Sequence, residues 1–149
     1  MSAVLTFDDS LWPLVIFRCV GVMTNAQFDE FLTRSESFLE RDQPYVSITD
    51  MSKAGIPPLE QCRKLAEWIH THEARLCERV LCNAILVTSA PLRLSMSLVF
   101  HLKKSMPRRA VSDMGEALQF AVDKLNEAGR PEEAQRILHG FTTAGARVG

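Results

Sequence analysis

Asp50, Ser52 and Gly55 fall where an apolar, β-branched run at residues 45–50 gives way to a Gly-Ile-Pro-Pro loop and then to a long amphipathic pattern. That is the composition of a strand-to-helix joint, and in open α/β sheets such joints, at the carboxyl ends of strands, meet ligands and partners. A phosphate carried by Ser52 would face the free N–H groups at the start of the following helix. Asp and Ser are equally at home in turns and caps for purely local hydrogen-bonding reasons, and that reading explains the same letters. A second joint follows residues 83–88, where Thr88 and Ser89 precede a helical pattern and Arg93 lies one turn on. These three could hold an anion, or simply cap a helix beside a solvated Arg.

Other residue types carry weaker signals. Trp68 lies off the apolar stripe of its predicted helix, among Gln61, Lys64, Thr71 and Arg75, as a binding anchor would, or as a ring tucked under a loop would. His101, Lys103, Lys104, Arg108 and Arg109 form a basic cluster with no acid between them, which suits a helix end with cations favourable to its dipole. His70 and His72 are two apart, so on a helix they point different ways and do not make a metal pair. Cys77 and Cys82 lack a second ligand pair, and each reads as a core thiol. No metal and no cofactor are expected.

Composition narrows the class. At 149 residues the chain has the size of one ordinary domain, and a net charge of -1 gives no general pull toward nucleic acid or anionic membrane. The four cysteines are unequally spaced inside apolar patterns, which points to reduced thiols and a cytoplasmic setting. Asp8 and Asp9 stand where a signal peptide would carry Lys or Arg, and no apolar run approaches the roughly 20 residues that span a bilayer.

The elements that must position these residues follow from periodicity. Residues 3–7 and 12–20 are apolar runs separated by Asp8-Asp9-Ser10, which predicts an antiparallel hairpin with Pro13 near a strand start. Thr24 and Gln27 have capping-box spacing, ahead of a helix whose buried face carries Phe28, Phe31 and Phe38. Leu59, Cys62, Leu65, Ala66, Ile69, Leu76 and Cys77 predict one long second helix. Residues 83–88 read as a central strand, and the pattern after Pro91 as a helix apolar enough to be wedged between the sheet and a partner or second copy of the chain. A short edge strand at 108–111, a helix opened by Asp113 and Glu116, a short helix at 132–138 and a loose tail at 141–149 complete the chain. The fold class is therefore single-domain α/β: a mostly parallel mixed sheet of about five strands with covering helices, residues 1–128, followed by a C-terminal helix and flexible tail, residues 129–149.

This order, with Ile48-Thr-Asp50-Met-Ser52 closing one strand, Ala84-Ile-Leu-Val-Thr-Ser-Ala-Pro-Leu-Arg93 leading into a helix, and Arg109-Ala-Val-Ser-Asp113 before a Glu-Ala-Leu helix, resembles the STAS domain superfamily. The likeness is to its SpoIIAA-like branch, near the STAS/SEC14-type proteins, and covers residues 4–125. It implies a bacterial regulatory module that binds other proteins through the strand-to-helix loop, in some members under control of a phosphate on an Asp-Ser pair at the helix start. Here Ser52 lies early in the loop, and Ala54, Gly55, Ile56 and Pro57 occupy the positions nearest the helix. The expectation is a non-enzymatic regulatory or scaffolding module that binds another protein through Asp50, Ser52, Gly55, Lys64, Trp68 and Arg75. The alternative is a small-ligand module, nucleotide or lipid-like, in the crevice at the strand ends. A homodimer is compatible with either. An enzyme would need Asp50, Ser52, Thr88 and Arg93 to converge with a base that the sequence does not identify.

Overall fold

A computed structural model describes residues 2–100 and 107–148. Its order is β1 (Val4–Leu11), β2 (Leu14–Gly21), α1 (Asn25–Leu39), β3 (Tyr45–Ala54), α2 (Leu59–Thr71), α3 (Glu73–Arg79), β4 (Val80–Leu86), α4 (Ala90–Phe100), β5 (Arg108–Val111), α5 (Met114–Glu127) and α6 (Pro131–Val148). The sheet runs β1-β2-β3-β4-β5, with β1 antiparallel to β2 and every other neighbour parallel, as the alternating pattern requires. His101, Lys103 and Lys104 lie outside the described residues.

Alternation along β2, β3 and β4 divides the core in two. Leu14, Ile16, Val46, Ile48, Ala84 and Leu86 face α5 and α6, where Leu118, Leu125 and Ile137 close the packing. Val15, Phe17, Tyr45, Val80 and Ile85 face the opposite way, toward α1, α2, α3 and α4. The capping box opens α1 as its spacing predicts: Gln27 N donates to Thr24 Oγ1 at 3.1 Å, and Thr24 N donates to Gln27 Oε1 at 3.0 Å. Asp113 accepts from Glu116 N at 2.9 Å to start α5.

Several boundaries differ from expectation. The first hairpin does not turn at Asp8-Asp9-Ser10: β1 continues to Leu11, and the chain reverses at Trp12-Pro13. The Asp8 carboxylate takes both Ser10 N and Ser10 Oγ, which lets the acidic run stay extended. The second helix breaks at His72. That side chain meets the Trp68 carbonyl at 2.9 Å and Glu36 of α1 at 3.2 Å, and α3 sets off in a new direction toward β4. The break takes Cys77 off the inner stripe, so it is exposed rather than core, and Leu59 at the start of α2 is 67% exposed.

The C-terminal segment is also corrected. In place of a short helix and loose tail, α6 is a continuous 18-residue helix to Val148. Ala134 and Ile137 are buried in the same cluster as Ile16 and Leu125, and Arg136 donates to the Trp12 carbonyl at 2.8 Å. At Gly140 α6 passes close to the hairpin, where a Cβ would lie 2.6 Å from Leu11 Cδ2. The Gly-Ala-Thr composition that suggested a loose end instead includes a close helix-to-strand approach.

Candidate functional site

The residues singled out at the first joint do not form one cluster. Asp50 and Ser52 belong to β3, which runs on to Ala54, so they are strand residues and not loop residues. By alternation from Ile48 they lie on the face that α5 and α6 cover, beyond the covered part. Asp50 Oδ1 accepts from Ser52 N at 3.1 Å and from Ser52 Oγ at 2.6 Å, while its other oxygen lies 3.5 Å from Arg18 Nε on β2. The hydroxyl is thereby held by a carboxylate, an arrangement that a phosphate would have to break against like charge.

Lys64, Trp68 and Arg75 stand on the opposite side, on α2 and α3. Lys64 pairs with Asp29 of α1 at 3.3 Å. Trp68 is half-buried, its ring 4.5 Å from that of His72, and it packs on the cluster of Val15, Phe38 and Ile69. Arg75 is half-exposed on α3. Gly55 N donates to the Gly21 carbonyl at 3.1 Å, and a Cβ at position 55 would come within 2.5 Å of Val22. The loop thus passes close to the end of β2.

At the second joint, Ser89 Oγ accepts from Leu92 N at 3.4 Å, and the Arg93 guanidinium donates back to the Val87 carbonyl at 3.1 Å. Thr88 Oγ1 reaches the Ser52 carbonyl at 3.5 Å. These groups stitch the strand end to α4.

A different site emerges between the sheet and α1, α2 and α4, where the packing leaves an apolar cavity of about 170 Å³. Phe7, Phe17, Phe28, Phe31 and Phe38 form much of its wall, with Phe17 and Phe31 centroids 4.7 Å apart and Phe7 and Phe17 at 4.8 Å. Among the described residues, no Asp, Glu, Lys, Arg or His lines the cavity. Burial pushes the Cys62 thiol and the Tyr45 phenol up from their ordinary values, so both wall groups are neutral.

Ser35, Ser95 and two further polar features interrupt the apolar wall. Ser47 and Thr49 alternate on β3 with Tyr45 and Met51, and both hydroxyls donate to Asn83 Oδ1 of β4, at 3.0 and 3.1 Å. Gln61, in the first turn of α2, is only 2% exposed. Its Nε2 donates to the Met23 carbonyl at 2.8 Å, which fixes the amide's orientation, and its Oε1 has no partner among the described residues. Gln61 appeared in the sequence only as a polar neighbour of Trp68. The Ser47-x-Thr49 alternation beside Asn83 was a readable signal, because three polar residues on one otherwise apolar sheet face call for a local reason.

No protein-family model matches the chain, and no curated protein matches it. Solved structures do. An uncharacterized protein from the DUF3478 family with a SpoIIAA-like fold, from Shewanella loihica PV-4, aligns with a TM-score of 0.60 at 15% identity, over 80% of this chain and 94% of its own. An anti-sigma factor antagonist from Mycobacterium paratuberculosis aligns with a TM-score of 0.54 at 12% identity, over the same 80% and 94%. At these identities the likeness is one of fold.

Proposed function

We propose that this STAS/SpoIIAA-like domain is a non-enzymatic regulatory or scaffolding module that recognises another protein at the carboxyl ends of β3 and β4. The observation that carries this reading is a set of apolar side chains left open at that edge: Ile56 at 55%, Leu59 at 67% and Leu94 at 66% exposure. Ile56 and Leu59 flank the two prolines of the tight loop anchored by Gly55, so the loop presents them on a stiff support. Lys53, exposed three residues before Ile56, favours a partner with acidic groups around its apolar contact. The structural neighbour named as an anti-sigma factor antagonist supports a regulatory role of this kind. Ser52 is no part of the proposed surface, since Asp50 holds its hydroxyl on the other face of the sheet.

The test is affinity capture with the native chain and with an Ile56→Asp/Leu59→Asp variant. Both side chains are exposed, so the variant keeps its melting temperature while the captured partner is lost. Undiminished capture by this variant, with loss on Asp50→Ala, would move the surface to the α5–α6 side.

A second reading, a small-ligand module, is favoured by the cavity itself. Cores pack to near-crystalline density, and this partly open cavity of about 170 Å³ is space beside the aromatic wall that such packing does not fill.

A further inference from the structure

Six of the seven large apolar side chains that stand exposed among the described residues gather at one end of the molecule: Val4, Val20, Val22, Ile56, Leu59 and Leu94. Val4 stands opposite Val20, and Val20 opposite Lys53, so these side chains form one row across β1, β2 and β3. A register shift after Arg18 is what sets Lys53, rather than Ser52, beside Val20. By alternation from Ile16 the row lies on the sheet face that α5 and α6 cover further along. Val22 carries the apolar surface round the end of the sheet, for its Cγ2 would lie 2.5 Å from a Cβ at Gly55, and Gly55 leads directly into Ile56. Leu59 opens α2 and Leu94 lies on α4, two helices that start at the ends of β3 and β4 and pack on one another. Ile56, Leu59 and Leu94 are therefore one half of a stripe that continues to the first hairpin.

Resting on the protein-recognition reading, we infer that this whole stripe seats an acidic amphipathic helix of another protein. Exposed cations flank it: Lys53 in the row, Arg63 one turn beyond Leu59 on α2, and Arg93 beside Leu94, with Glu60 the acid next to Leu59. Two copies of the chain would bring those cations together across a two-fold axis, so the charge selects a different chain with acids beside its apolar face. The stripe crosses the strand ends instead of running along an edge. An incoming extended segment finds no ladder to join there and would leave its backbone groups unpaired, whereas a helix bonds its own backbone and lays one apolar face on such a surface. From β1 to β4 is three strand spacings of about 4.8 Å, or about 14 Å. At about 1.5 Å per residue, a helix of about three turns spans it.

The probe is a synthetic helix with leucines along one face and glutamates on its flanks. One control carries lysines in place of the glutamates, and the other has the same composition in an order that forms no apolar face. Fluorescence anisotropy with the full chain at low salt is expected to show the glutamate helix binding about tenfold or more tighter than either control, and weakening as salt rises. Val4→Thr/Val20→Thr and Ile56→Ser/Leu59→Ser, all at exposed positions, should each weaken it about threefold or more. Should either double variant fail to fold, Val20→Thr and Ile56→Ser alone carry the comparison. Loss with Ile56→Ser/Leu59→Ser but not with Val4→Thr/Val20→Thr would overturn the extension to the hairpin and leave the reading at β3 and β4 standing. Equal binding of the lysine helix would overturn the acidic partner, and equal binding of the scrambled peptide would overturn the helix. Binding of none of the three, beside a captured partner that needs Ile56 and Leu59, would overturn this inference and spare the reading it rests on; with no such partner, both fall.

Discussion

The two faces of the sheet are built from the same three strands, yet they are packed on different terms. Toward α5 and α6 the wall is mostly aliphatic and small: Leu14, Ile16, Val46, Ile48, Ala84, Ala117 and Leu125 are buried and mesh with Ile137. Toward α1, α2 and α4 the contacts are dominated by Phe7, Phe17, Phe28, Phe31, Phe38 and Trp68, border a partly open cavity and contain a buried amide whose carbonyl has no partner among the described residues. The rings on that side are in ordinary contact, with centroids 4.7 to 6.5 Å apart, and what distinguishes the face is the cavity it leaves. One face therefore spends its sequence on stability, and the other keeps room for something else.

That contrast breaks if truncation costs the same on both sides. Leu125→Ala, at a site with no exposure, should lower the unfolding free energy by about 3 kcal/mol or more in a denaturant titration. Trp68→Ala comes next, at about 2 kcal/mol, since the ring is half-buried on the Val15, Phe38 and Ile69 cluster. An unchanged melting temperature would return Trp68 to the list of free surface anchors. Leu65→Ala, on the cavity wall, should cost only about 1 kcal/mol, because its neighbours already lack contacts on that side. A Leu65→Ala cost matching that of Leu125→Ala would show the aromatic face to be as tightly packed as the other.

The contrast sharpens with pH. Burial pushes the Cys82 thiol, on the α5–α6 face, up from 9.0 to about 12. In the unfolded chain the thiol ionises near its ordinary value, while in the native state it stays protonated, so stability is unaffected below about pH 9 and falls between there and about 12. Cys82→Ala should flatten that alkaline slope, read as melting temperature against pH. The smallest expected effect is that of Ser52→Ala, at about 1 kcal/mol or less, which removes a single hydrogen bond to a carboxylate that keeps Ser52 N and Arg18 as partners.

Much of the architecture was legible. The β-α alternation, the Thr24–Gln27 capping box and the Asp113–Glu116 start of α5 are local patterns whose physics lies within a few residues, and they stand as read. The expected binding residues fared differently. Asp50 and Ser52 come to lie on one side of the sheet and Lys64, Trp68 and Arg75 on the other, because β3 runs on past Asp50 to Ala54 and keeps the pair in the strand, on the face opposite α2 and α3. The break at His72 was equally hidden, since it depends on Glu36, thirty-six residues away on another helix.

By itself the sequence determined the elements, their order and the parallel sheet, since period-2 and period-3.6 burial, caps and turn residues act over short range. It also determined that the inner face of α1 would be aromatic. Only the tertiary structure decided that those rings would fail to close over Ser47, Thr49 and Gln61. Whether a buried acceptor finds a donor depends on which side chains from distant elements arrive beside it, and no local pattern encodes that meeting.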